Sequence, residues 1–231
     1  MATSGTTSFD LEIDDIIEEA YERCMIKSSR SGYDIKSARR SLNLLFSEWG
    51  NRGVHLWKVG LQTDTLVQGQ ANYTTPSDCS DVLEAYYRNN STPAAPVDQS
   101  LSKIDRSAYA AIPNKLSKGV PSQYYVDRQN NPVIYLYQTP DSVHSGSSYQ
   151  LQYYYIKKIQ DVGAYTNTAD VYYTFLPCMV SGLAYYLSMK INHQMTPNLK
   201  MIYDDELTRA LNENGQRTSL YISPKTYYPG T

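Results

Sequence analysis

Apolar side chains recur along the chain with two different periods, and the change of period divides it. Between residues 9 and 28 (FDLEIDDIIEEAYERCMIKS), Ile13, Ile16, Ile17, Ala20, Tyr21 and Cys24 recur at the three- and four-residue steps of one helical face. Acids crowd the first turns and Lys27 lies near the end, as the helix dipole favours. Thr7 with Asp10 offers a cap of capping-box type. Gly32 breaks the pattern. A second stripe, Ile35, Ala38, Leu42, Leu45, Phe46 and Trp49, predicts a helix from about Asp34 to Gly50, with Gly50 or Gly53 as its stop. The linker is short, so the two helices are expected to pack as a hairpin.

From Val54 to about Tyr173 the period shortens to that of strands. The runs HLWKVGLQTDTLV, DVLEAYYR, SQYYVDR, PVIYLYQTP and YQLQYYYIKKI are separated by Asn, Pro, Gly, Asp and Ser clusters. DRQNNPVIYLYQTP predicts a hairpin turning at Gln129 to Pro132, and residues 99–113 hold a short helix. A small antiparallel sheet of about four to six strands is expected here.

Helical spacing returns at Val171 to Ile191. Phe175, Leu176, Met179, Val180, Leu183, Ala184, Tyr186 and Leu187 cover most of the circumference, which marks a buried, central helix. Pro177 suits its first turn. The last helix starts with Thr196 as cap and Pro197 behind it, carries Leu199, Ile202, Tyr203, Leu207, Ala210 and Leu211 as its stripe, and ends near Gly215. The expected class is α+β: a four-helix bundle from residues 1–55 and 173–216, an antiparallel β-rich insertion over 56–172, and an extended C-terminal arm over 217–231. That arm, RTSLYISPKTYYPGT, is apolar, rich in tyrosine and too short to bury itself. Its prolines favour an extended chain. Leu220, Tyr221, Ile222, Pro224, Tyr227 and Tyr228 are its candidate docking residues.

Composition narrows the function. Tyrosine accounts for 23 of 231 residues against 3 Phe and 2 Trp. Tyrosine suits boundaries with one apolar and one wet side, so the excess reads either as an amphipathic sheet face or as much interface per residue. A net charge of −2 gives no global attraction to nucleic acid or anionic lipid. No run reaches the roughly 18 apolar residues of a membrane span, and the opening MATSGTTSFD has no signal-peptide pattern. Cys24, Cys79 and Cys178 are odd in number and far apart, which points to a reducing compartment and to core cysteines.

Catalytic signatures are missing. His55, His144 and His193 have no metal-ligand spacing, and no phosphate-binding or nucleophile motif occurs. No cofactor, metal or catalytic residue is expected. The acids Asp14, Asp15, Glu18 and Glu19, and Asp204, Asp205 and Glu206, lie on polar helix faces. A glycosidase-like pair there would lack the desolvating pocket that raises a catalytic pKa. Tyr153 or Tyr155 beside Lys157 and Lys158 is a weak base-stacking candidate. The first helix has an acidic outer face (Asp15, Glu18, Glu19, Glu22) and the second a basic one (Lys36, Arg39, Arg40). These faces are either solvated or the two sides of a contact between like chains.

At the level of whole segments, the chain resembles the podophage head-to-tail adaptors, the tail accessory factor family. The resemblance rests on DIIEEAYERCMIKSSRSGYDIKSARRSLNLLFSEWGNRGVHLWKV, YTTPSDCSDVLEAYYR, IDRSAYAAIPNK, GVPSQYYVDR, IYLYQTPD and YYYIKKIQDVGAYTNTADVYYTFLPCMVSGLAYYLSMK, in that order, over roughly residues 9–222. It implies a non-enzymatic virion protein in the neck, assembled in the host cytoplasm, whose identical chains form a ring of twelve below the portal. It further implies partners in the portal, the tail nozzle and the tail fibres, and a channel that passes DNA without gripping it. The arm is then the portal-docking element. The rival readings are a peptidoglycan hydrolase of the tail and a tyrosine-rich module binding carbohydrate or nucleic acid.

Overall fold

In a computed structural model of the chain, residues 5, 9, 11–26, 31–54, 58–164 and 166–214 are described. Thr7, Asp10, His55 and the arm at 217–231 lie outside them. The elements alternate in class as the change of period demands. Among the described residues, helices α1 (Ile13–Arg23) and α2 (Gly32–Asn51) come first, then ten strands with one short helix among them, then α4 (Leu176–Ile191) and α5 (Thr196–Asn214). The fold is mixed α+β.

Helix α1 begins four residues later than its apolar spacing suggests. Glu12 forms a β-bridge with Thr168, and the Ile13 amide donates to the Asn167 carbonyl at 3.0 Å. The lead into the helix is therefore held as extended chain. Helix α2 begins two residues earlier than expected, because Ser31 caps it. The Ser31 hydroxyl accepts from the Asp34 amide, and the Asp34 carboxylate accepts from the Ser31 amide at 3.0 Å and hydroxyl at 2.7 Å. A single turn of 3-10 helix (Tyr173–Phe175) leads into α4, with Pro177 in the first turn.

Helix α4 is the hub of the helical core. Cys178, Met179, Val180, Leu183, Ala184 and Leu187 are buried on it, and α1, α2 and α5 all pack against it. Gly182 permits this convergence. A Cβ there would stand 2.9 Å from Leu45 Cδ2 on α2 and 2.9 Å from Tyr203 Cε2 on α5. Close by, Trp49 Nε1 donates to the Tyr203 hydroxyl at 3.0 Å, which satisfies both polar groups inside the core.

The β-rich part holds two four-stranded sheets and a two-stranded one, in place of the single sheet expected. The first sheet is antiparallel, in the order β1 (Val59–Leu66), β10 (Gly146–Lys157), β3 (Cys79–Asn89), β4 (Val97–Ser100). The second runs β2 (Asn72–Thr74), β8 (Val133–Tyr137), β7 (Gln123–Asp127), β5 (Ser102–Ile104), and its β5–β7 pairing is parallel. The β7–β8 pair is the expected hairpin. The remaining pair, β6 (Lys118–Gly119) and β9 (Thr139–Pro140), is also parallel. The strands not foreseen are two to four residues long, and β4 is exposed throughout, so no alternation marks it. The short helix α3 (Arg106–Ala111) sits between β5 and β6.

The two larger sheets bury a second core between them. Val82, Ala85, Tyr87, Leu151, Tyr153 and Tyr155 of the first sheet share it with Tyr73, Tyr124, Val126, Ile134 and Leu136 of the second. Tyr124 reaches across to donate its hydroxyl to the Leu83 carbonyl at 3.2 Å. All three cysteines are buried free thiols, as their spacing suggested.

Candidate functional site

Helix α1 buries Ile13, Ile16, Ile17, Ala20 and Tyr21, which turns Asp14, Asp15, Glu18, Glu19 and Glu22 outwards. Asp15 accepts from the Glu12 amide at 3.3 Å, and Glu19 pairs with Arg23 at 2.9 Å. Five acids against one arginine leave this face strongly negative. Asp15, Glu19 and Arg23 rim a groove floored by Leu11, Leu176, Pro177 and Val180. The groove continues as an apolar opening of about 460 Å³ between Phe9, Leu11, Tyr173, Leu176 and Pro177. Phe9 is 69% exposed and Tyr173 is 45% exposed, and their rings lie 6.0 Å apart. Single exposed apolar residues are ordinary, whereas a contiguous set rimmed by polar residues marks a contact surface.

The basic residues of α2 divide. Lys36 and Arg40 are exposed. Arg39 donates to the carbonyls of Val162 and Gly163, and Asn43 accepts from the Val162 amide at 2.8 Å. Arg39 thus pins the segment after β10 to the helical core, while Lys36 and Arg40 face outwards. Arg40 lines a groove with Tyr33, Leu44, Leu187, Lys190 and Ile191. Lys190 donates to the Ser37 and Ser41 hydroxyls, and burial together with Arg40 holds its ammonium below the ordinary lysine range. Pro177 and Lys190 are thirteen residues apart on α4, about 20 Å at helical rise. The helical region therefore carries an apolar patch rimmed by Asp15, Glu19 and Arg23 at one end of α4, and one lined by Arg40, Lys190 and Asp34 at the other.

The β region shows where the tyrosines went. Tyr153 is wholly buried and donates to the Asp64 carboxylate at 3.1 Å, and Tyr155 is buried with Lys157 over its ring. Neither has a free face for a base, which corrects the stacking expectation: both point into the space between the sheets. Strand β1 reverses the usual sidedness. Val59 and Leu61 are exposed, whereas Gln62 and Asp64 turn towards Tyr153. Tyr109 of α3 stacks on Tyr125 and meets Tyr135, with Lys115 over its ring.

Chemistry-bearing groups are spread thinly. His144 Nδ1 lies 2.9 Å from Asp141 Oδ1, and the His144 and Val143 amides donate to the same carboxyl and hold it below the usual carboxylate range. His193 is exposed, two residues beyond the end of α4. Among the described residues no three His, Cys, Asp or Glu side chains come together. Glu18 and Glu19 are exposed on α1, and Glu19, on the rim of the groove, is paired with Arg23 at 2.9 Å.

Of the residues singled out from sequence, Asp15, Glu18, Glu19 and Glu22 share one face, Lys36 and Arg40 another, and the arm residues Leu220 to Tyr228 lie outside the described part. The groove at Phe9, Leu11, Tyr173 and Pro177 escaped sequence reading, because its walls come from segments more than 160 residues apart. Its one legible trace is the exposed pair Tyr172 and Tyr173 just ahead of a buried helix.

A protein-family model described as "SU10 adaptor protein" matches residues 10–226. No curated protein matches the chain. Among solved structures, the chain is similar to one described as "Neck of empty GTA particle computed with C6 symmetry", at 8% identity over 76% of this chain and 78% of that one, with a TM-score of 0.28.

Proposed function

The chain belongs to the SU10 adaptor protein family, and from that premise we propose that it is a non-enzymatic connector in the neck of a phage particle, joining the portal of the head to the tail. The family match over residues 10–226 carries this reading. Copies of the chain close into a ring, twelve in the podophage arrangement, that extends the DNA channel below the portal. The tail nozzle is the partner on the far side, and tail fibres attach nearby.

The geometry fits such a role in two ways. Closed rings need heterologous contacts, in which one surface meets a different surface of the next copy. The acidic α1 face (Asp15, Glu18, Glu19, Glu22) and the basic α2 face (Lys36, Arg40) are unlike surfaces, and each adjoins exposed apolar residues. In this reading Arg39 serves the interface indirectly, by fixing the loop at Val162 and Gly163. The net charge of −2 also suits a channel for DNA, since a basic lining would hold phosphates. The C-terminal arm, with Leu220, Tyr221, Ile222, Pro224, Tyr227 and Tyr228, is the portal-docking element.

Electron microscopy of the protein mixed with its portal tests the proposal. Rings seated on the portal are expected. A protein that stays monomeric and leaves the portal bare would overturn it. Incubation with purified peptidoglycan beside Glu18→Gln and Glu19→Gln variants tests the hydrolase rival, which requires soluble fragments that the variants fail to release.

A further inference from the structure

Helix α5 brings the chain to the end of α4 that carries the groove. It runs back along α4: Ser188 bonds to Thr196 at 3.0 Å near its start, and Ser181 donates to Glu206 further along. Asn214 lies eight residues beyond Glu206, about 12 Å at helical rise, and Leu176 lies five residues before Ser181, about 8 Å in the same direction. Helix α5 also touches the turn at Tyr173–Phe175. The chain therefore leaves α5 at the same end of α4 as the groove formed by Phe9, Leu11, Tyr173, Leu176 and Pro177. Residues 215–231 continue from that point.

The segment that follows matches the groove in two independent respects. It carries Arg217 and Lys225 and no acidic residue, against Asp15 and Glu19 on the rim, the latter shared with Arg23, and Asp14, Glu18 and Glu22 on the same outer face of α1. It also carries an apolar run, Leu220, Tyr221 and Ile222, where the groove offers an apolar floor. Leu220 lies six residues beyond Asn214, a span of up to about 20 Å. A tether this short holds its end at an effective concentration on the order of millimolar. A seat too weak to capture a free peptide is then filled by the chain's own tail.

We propose that the groove between the α1 lead and the start of α4 is the seat of residues 217–225 of the same chain. Leu220 and Ile222 occupy the apolar opening, and Arg217 and Lys225 lie against the acids of α1. The seat covers a surface that would otherwise expose Phe9, Tyr173 and Pro177 to water. Its acids are the ones assigned above to contact with a neighbouring copy, so the tail and the neighbour compete for them. The inference goes beyond the connector reading and stands without it, since it needs neither portal nor ring.

Hydrogen exchange on the full chain tests it in the absence of any partner. Amides of residues 218–223 are expected to exchange at least about 10-fold slower than an open chain, with no change on serial dilution. The arm variant Leu220→Asp/Ile222→Asp and the rim variant Asp15→Lys/Glu19→Lys should each abolish that protection and leave α4 protected. An unprotected tail in the native chain overturns the proposal, as does protection that survives the arm variant. Protection that falls with dilution overturns it too, by placing the tail on another copy. If the rim variant fails to fold, the arm variant decides. Portal binding is read separately by microscopy, so a failed seat and a failed connector reading are distinguishable.

Discussion

Gly182 and Gly50 offer the same substitution with opposite expected signs. Gly to Ala inside a helix ordinarily stabilises by about 0.5–1 kcal/mol, because the unfolded chain loses freedom. At Gly50 in α2 nothing lies within 4 Å of the added Cβ, so Gly50→Ala should realise that gain. At Gly182 the added carbon meets Leu45 Cδ2 at 2.9 Å, Leu45 Cδ1 at 3.0 Å and Tyr203 Cε2 at 2.9 Å. Carbon atoms rest at about 3.5–4.0 Å, so two helices must give way by more than half an ångström on opposite sides. Neither neighbour has slack: Leu45 and Tyr203 are buried, and Tyr203 is tied to Trp49. Overpacking of this kind costs about 1–3 kcal/mol, which outweighs the helix-propensity gain and leaves Gly182→Ala destabilised by about 1 kcal/mol. In a domain of this size that lowers the melting temperature by about 2–4 °C. Urea titration with an unchanged slope gives the free energies directly. A Gly182→Ala protein that is more stable than wild type, as Gly50→Ala should be, would refute the claim that α4 is a hub closed by this glycine.

Four further outcomes follow from the buried polar groups. Tyr203→Phe strands the Trp49 indole N–H inside the core and should cost about 1–3 kcal/mol, measured by the same titration. Asp170→Ala leaves the buried Lys58 ammonium without its carboxylate and should cost about 2 kcal/mol, below the figure for a fully buried pair because Asp170 keeps some water. Burial pushes the hydroxyls of Tyr87, Tyr124 and Tyr203 up to about 12. Their folded values exceed the unfolded value near 10, so their contribution is intact below about pH 10 and is lost as pH rises towards 12. The part of the tyrosinate absorbance that belongs to the buried tyrosines should therefore appear together with loss of circular dichroism over that window, and titration of all tyrosines in a folded protein would contradict the burial. Cys24 and Cys178 are buried, with thiols raised to about 11 and about 12, so a thiol reagent should label the native chain slowly and the denatured chain at all three cysteines.

Period and punctuation alone determined much of this chain. The i, i+3, i+4 stripes of α1, α2 and α5 and the all-round apolarity of α4 located the helices, because a helix buries whatever its repeat turns inwards. The long strands β3, β7, β8 and β10 were legible for the same reason at a period of two. The tertiary structure decided what local periodicity leaves open. Alternation in β1 does not say which face is inside, and the inward turn of Gln62 and Asp64 is set by Tyr153 on the neighbouring strand. The parallel β5–β7 pairing joins short polar segments that lack a pattern of their own. Nothing in FDLEIDD, in VYYTFLP or at Gly182 announces a groove or a hub, since each exists only where distant segments meet. Secondary structure is written in nearest-neighbour repeats, whereas surfaces that hold partners are made by contacts across the whole length of the chain.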